Sequence, residues 1–133
     1  MSTVFADTYY YLALLSADDA AHPRAVELSG RLRSRIVTTD WVLMEIADAL
    51  CQPRQRPLFP ALLDQLRGDP DVVIVEANRD LFDRGVALYG SRADKSWSLT
   101  DCISFVVMQD RSLTDALTAD HHFQQAGFVT LLK

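Results

Sequence analysis

A chain of 133 residues is one domain's worth, long enough to bury roughly two-thirds of the surface its unfolded form exposes, so neither disulfides nor a structural metal is needed for folding. Hydrophobic residues make up 49% of it, with five Gly, five Pro and no biased or repeated stretch, which excludes a disordered tail and a repeat array; a single domain over residues 1–133 is expected. The formal net charge of −5 excludes a protein that grips nucleic acid by a general basic surface, but not a nuclease, because carboxylates that hold a divalent ion lower the formal charge while the ion reverses it locally.

In chain order, "TVFAD" (3–7) is short and apolar and ends in an acid, and "TYYYLALLSA" after it has helical length and composition, so strand then helix is expected. The apolar run within that helix follows Asp7 with no basic stretch ahead of it; it reads as neither signal peptide nor membrane span, and a cytoplasmic protein is expected. "AAHPRAVELSGRLRS" continues as a helix with Val26, Leu28 and Leu32 inward, and "RIVTT" (35–39) is β-branched enough for a strand. "DWVLMEIADALCQ" follows as a helix, then "PLFPALLDQLRG", with Pro57 suited to a first turn and Gly68 to a stop. "DVVIVEA" (71–77) is an unbroken β-branched run of the kind buried on both faces of a parallel sheet, and "NRDLFDRGVALYG" returns to helix. "WSLTDCISFVVMQD" (97–110) is apolar nearly all round and predicts a central helix. "ALTAD" (116–120) and "FVTLL" (128–132) close the chain as two short strands around one helical turn ending at Gly127. Cys51 and Cys102 fall in helical patterns and read as small apolar residues of a reducing compartment.

Strands alternating with helices imply an α/β fold with a mostly parallel sheet, in which ligands collect outside the carboxyl ends of the strands. Asp7 and Asp120 close predicted strands there, and Asp101 opens the central helix on the same rim. Each alone has a bland explanation, because Asp is favoured at helix N-caps and first turns. At about 100° per residue, the helix from Asp40 centres its apolar face on Val42, Leu43, Ile46, Ala47 and Leu50; Asp48 lies nearly opposite and Glu45 at the border. Four convergent carboxylates would suit Mg²⁺ or Mn²⁺, hard ions that take oxygen ligands and leave room for substrate phosphate. Such a site supports in-line attack on a phosphodiester with no side-chain nucleophile.

"VFADTYYYLALL", "VTTDWVLMEIADAL", "SLTDCISFVVMQD" and "ALTADHHFQQAGF" together resemble, in order and spacing, the motifs of the PIN-domain family, and most of all its small single-domain prokaryotic members, including the VapC-like toxins of toxin–antitoxin pairs. The resemblance implies a three-layer α/β/α sandwich around a five-stranded parallel sheet and a ribonuclease dependent on Mg²⁺ or Mn²⁺. Its four acids fall on Asp7, Glu45, Asp101 and Asp120 as metal ligands and catalytic groups. Thr100 matches a position often polar in the family, suited to orienting substrate or water. RNA as substrate, a small antitoxin that occludes the cleft, and a homodimer are implied as partners.

Other features have two readings. His121 and His122 are adjacent and on a helix would splay apart, a poor pair for one zinc. Arg24, Arg31, Arg33 and Arg35, and Arg54 and Arg56, read either as a solvated face or as contacts to RNA phosphates. Tyr9, Tyr10 and Tyr11 can stack on a base only where they escape the core. A haloacid-dehalogenase-like phosphatase needs an acid where Tyr9 stands, and a phospho-receiver domain needs more than Glu76 on its third strand; both are excluded. The rival that stays open is a PIN-like scaffold that binds RNA or protein without cutting.

Overall fold

The computed structural model describes residues 1–133. Five strands, β1 (Thr3–Ala6), β2 (Arg35–Thr39), β3 (Val72–Val75), β4 (Asp115–Leu117) and β5 (Val129–Thr130), form one sheet in the order β3-β2-β1-β4-β5. Every pairing is parallel, with Phe5 opposite Val37 on one side and Ala116 on the other. The helices are α1 (Thr8–Leu15), α2 (His22–Arg31), α3 (Asp40–Ala49), α4 (Leu58–Gly68), α5 (Arg79–Ser91), α6 (Leu99–Asp110) and α7 (His121–Gln125). Helices α1 to α4 pack among themselves, as do α5 to α7, which gives the three layers expected.

This order follows from the handedness of parallel crossovers. From β1 the chain steps outward through β2 to β3 with α1 to α4 between, then returns past β1 to β4 and β5 with α5 to α7 between. Reversing direction puts the second helix set on the opposite face. The reversal leaves a switch point between β1 and β4, where neighbouring connections diverge and open a crevice at the carboxyl ends of the strands.

Local chemistry fixes the helix starts. Thr39 caps α3, its hydroxyl accepting from Val42 N at 3.1 Å, and Asn78 caps α5 from Leu81 N at 2.9 Å. Gly127, with φ of 96°, ends the α7 turn where the sequence predicts a stop. Helix α6 is the core's centre, buried from Asp101 through Met108. Against it α5 comes so close at Gly85 that a Cβ there would collide with the Ile103 side chain.

Three local expectations differ. The β-branched run of β3 lies at the sheet edge with Val73 39% exposed, not in its buried middle; a β-branched run reports strand preference, not sheet position. Val26 is exposed while Ala25 and Leu28 are buried, because residues two apart on a helix point in nearly opposite directions. Cys51 is exposed just past α3, and only Cys102 is a buried apolar residue.

Candidate active site

The switch point is where the acids meet. Asp7 follows β1 directly and is 4% exposed. Its backbone takes the N-cap position of α1, but its carboxylate caps nothing, which removes the bland explanation at this position. Instead its Oδ2 accepts from the Thr118 hydroxyl at 3.0 Å, and Thr118 accepts in turn from Asp120 N at 3.0 Å. Thr118, just past β4 and fully buried, thus fixes the Asp7 carboxylate and the Asp120 backbone at once.

Asp101 does close a capping box, with Ser98 N donating to its Oδ2 at 3.2 Å and the Ser98 hydroxyl accepting from Asp101 N at 3.0 Å. It is also 8% exposed and faces the cleft, so capping and cleft-lining coexist. Asp120 caps α7 through His122 N at 2.9 Å. Glu45, half-buried on α3, sits at the border of the packed face while Asp48 is exposed. The Thr8 hydroxyl donates to Glu45 Oε1 at 2.5 Å and so ties α3 to the start of α1.

A cleft of about 360 Å³ collects Asp7, Glu45, Asp101 and Asp120 with Thr8, Tyr9, Ser98 and His122. No Lys or Arg lines it. Burial pushes the Asp7 carboxyl up to about 7, and Asp101 and Glu45 push it the same way against the Thr118 and backbone hydrogen bonds. Asp101 is raised too, first by burial and then by Asp120, with the Ser98 backbone and His122 opposing. Like charges held out of water without a Lys or Arg beside them leave a deficit of positive charge. The four acids offer oxygen donors, which suit a hard divalent ion.

Thr118 was not singled out in the sequence at all, and His122, weighed there only as half of a weak zinc pair, is a neighbour of two of the acids. Its Nδ1 lies 3.0 Å from Asp101 Oδ2 and 3.4 Å from Asp120 Oδ1, linking the two acids. The adjacent imidazoles do not splay apart; their centroids are 4.4 Å apart, and one ligand atom from each of Asp120, His121 and His122 falls within 4.8 Å of the others. Thr100 is half-buried on the first turn of α6 and does not line the cleft. Of the three tyrosines, Tyr9 lines the cleft while Tyr10 and Tyr11 are buried. Arg24 and Arg31 both pair with Glu27 on α2, and Arg56 donates to the Cys51 carbonyl; none of the flagged arginines lines the cleft.

A family model described as the PIN domain matches residues 4–129. The chain belongs to the PIN-domain family. This PIN domain is 27% identical over 129 residues to the 23S rRNA-specific endonuclease VapC20 of Mycobacterium tuberculosis, with 95% of each chain covered. The crystal structure of that protein, a Sarcin-Ricin loop cleaving toxin, superposes with a TM-score of 0.86 at 26% identity, covering 95% of this chain and 96% of that one. FitAcB from Neisseria gonorrhoeae (TM-score 0.66, 14% identity, 96% and 94% covered) and a toxin–antitoxin complex from Klebsiella pneumoniae (0.68, 19%, 96% and 97%) share the fold. No helix is long and apolar enough to cross a membrane.

Proposed function

We propose that this PIN domain is a metal-dependent endoribonuclease that hydrolyses RNA phosphodiester bonds and serves as the toxin of a toxin–antitoxin pair. The observation that carries the reading is the cleft itself: four carboxylates at the switch point with no Lys or Arg among them. In it Asp7, Asp101 and Asp120 would hold Mg²⁺ or Mn²⁺, with Glu45 completing the set. When bound, such an ion supplies the positive charge that acidifies water and offsets charge growing on the phosphate oxygens. Glu45, steadied by the Thr8 hydroxyl, orients the attacking water and takes its proton. The water oxygen bonds to phosphorus as the bond to the leaving sugar oxygen breaks, and that oxygen leaves protonated from solvent.

Thr118 and His122 act on the acids rather than on the substrate. Thr118 orients Asp7, and the His122 imidazole holds Asp101 and Asp120 in register; such partners of ligand carboxylates set their direction. The toxin role draws support from the likeness to VapC20, whose crystal structure is that of a toxin. In this reading an antitoxin covers the cleft, and the protein pairs with itself.

Cleavage of a pool of structured and single-stranded RNA tests the reading, with Mn²⁺, with EDTA and with a folded Asp101→Asn variant. Cutting that needs both the ion and Asp101 is expected. A folded wild type that binds RNA or a protein partner yet never cuts would transfer the chain to the scaffold class.

A further inference from the structure

Beside the acidic cleft lies a larger pocket of about 920 Å³, between the end of α5, the 92–98 loop and the start of α6. Ser96 and Ser98 line both, so a polymer seated in one runs into the other. Its volume falls at the upper end of the range for ligand sites, which run from roughly 300 to 1,000 Å³.

The lining pairs an aromatic face with positive charge. Tyr89, near the end of α5, is 56% exposed at the pocket. Trp97 is buried and pinned, its Nε1 donating to Gln125 Oε1 at 2.9 Å, and the Arg92 guanidinium lies 4.9 Å over its ring while bonded twice to Asp94. These ties make a rigid floor. Lys95 has only a loose partner, Asp94 at 3.8 Å, and its ammonium is the cation left to meet a ligand.

Charge decides the occupant. Four carboxylates repel the phosphates that flank the one being cut, so an RNA substrate needs cations immediately beside the cleft. Arg56, Arg79, Arg84 and Arg111 line pockets that share no residue with the cleft, whereas Arg92 and Lys95 line the one that does. An exposed ring next to cations is the arrangement that holds unpaired bases, because stacking needs a free base face.

Resting on the nuclease reading, we propose that this pocket is a subsite for single-stranded RNA flanking the scissile phosphate, with Tyr89 stacking on a base and Lys95 contacting a phosphate. The test measures binding and cleavage separately. Fluorescence anisotropy of a labelled single-stranded 12-nucleotide RNA in EDTA reads affinity without chemistry, and Mn²⁺-dependent cleavage of the same RNA reads KM and kcat. Tyr89→Ala should weaken binding roughly tenfold and Tyr89→Phe should restore it. Lys95→Gln should weaken binding at low salt and flatten the salt slope by about one phosphate contact. In cleavage, Tyr89→Ala should raise KM with kcat little changed, while the melting shift caused by Mn²⁺ stays at the wild-type value.

Unchanged affinity and KM in both variants would overturn the subsite while leaving the nuclease standing. Tyr89-dependent binding by a wild type that never cuts would keep the subsite and remove the nuclease. If wild type binds no RNA, the subsite falls. If Tyr89→Ala splits a self-associated wild type into monomers without touching RNA affinity, the face belongs to a second copy and the proposal falls too.

Discussion

Two buried regions of this PIN domain, a few residues apart along α6, are built on opposite principles. Where α5 crosses α6, Gly85 lets the helices close onto Ile103, and the neighbouring α6 side chains are buried without charge. At the N-terminus of the same helix, Asp101 joins Asp7 in a cleft where both carboxyls are pushed above their ordinary range. The helix contact gains from burial. The rim is destabilised by it unless a cation arrives. The difference shows which part of the molecule is arranged for folding and which is arranged for a ligand, since a buried charge without a partner is unfavourable for folding alone.

The largest effects should separate the two regions. Asp101→Asn should lower cleavage on the order of a thousandfold, because metal-site charge supplies several kcal/mol to the transition state. Its melting temperature in EDTA should match or exceed that of wild type, since one of the mutually repelling acids is gone. Gly85→Val should do the reverse: overpacking of about 1–3 kcal/mol lowers the denaturant midpoint, while cleavage per folded molecule is kept.

A medium effect concerns pH. With the folded-state pKa of Asp7 raised from 3.8 to about 7, the folded protein binds this proton more tightly than the unfolded chain does. The stability that goes with the proton is therefore fully present below about pH 4 and is lost as pH rises to about 7. Urea melts of metal-free protein should show this decline, and it should be shallower in Asp7→Asn. Saturating Mn²⁺ should flatten it and raise the melting temperature by several degrees, because the ion binds only the native state.

Smaller still is Thr118→Val, which keeps the shape but removes the hydroxyl between Asp7 and Asp120. A loss of roughly 10- to 100-fold in metal affinity, read by Mn²⁺ titration, is expected. The smallest is Arg84→Ala: although its guanidinium bridges Asp80 and Asp110, the pairs are exposed and screened by solvent, so the denaturant midpoint should barely move and activity should stay intact.

The gathering of the acids was legible in part: strand and helix assignments put Asp7 and Asp101 on the carboxyl rim, the helix angle put Glu45 only at the border of the packed face, and the set of four came from the PIN-domain resemblance. Position within the sheet was not legible, since strand order depends on which distant strands pair, Phe5 with both Val37 and Ala116, rather than on any local run, and β3 emerged at an edge. Thr118 and the place of His122 beside the acids were missed for a related reason. Each acts across the switch point, Thr118 on Asp7 and His122 on Asp101, and nothing local marks such a partner. The one available signal was that both lie within two residues of Asp120.

The central claim is that the cleft is shaped for a divalent cation, and isothermal titration of Mn²⁺ into metal-free wild type and Asp101→Asn near pH 6.5 tests it most directly. Wild type should take up Mn²⁺ saturably with a heat that depends on the buffer, because the ion displaces the proton held at Asp7, and Asp101→Asn should lose that uptake. Folded wild type that shows no saturable uptake, or a variant that binds equally well, would contradict the account.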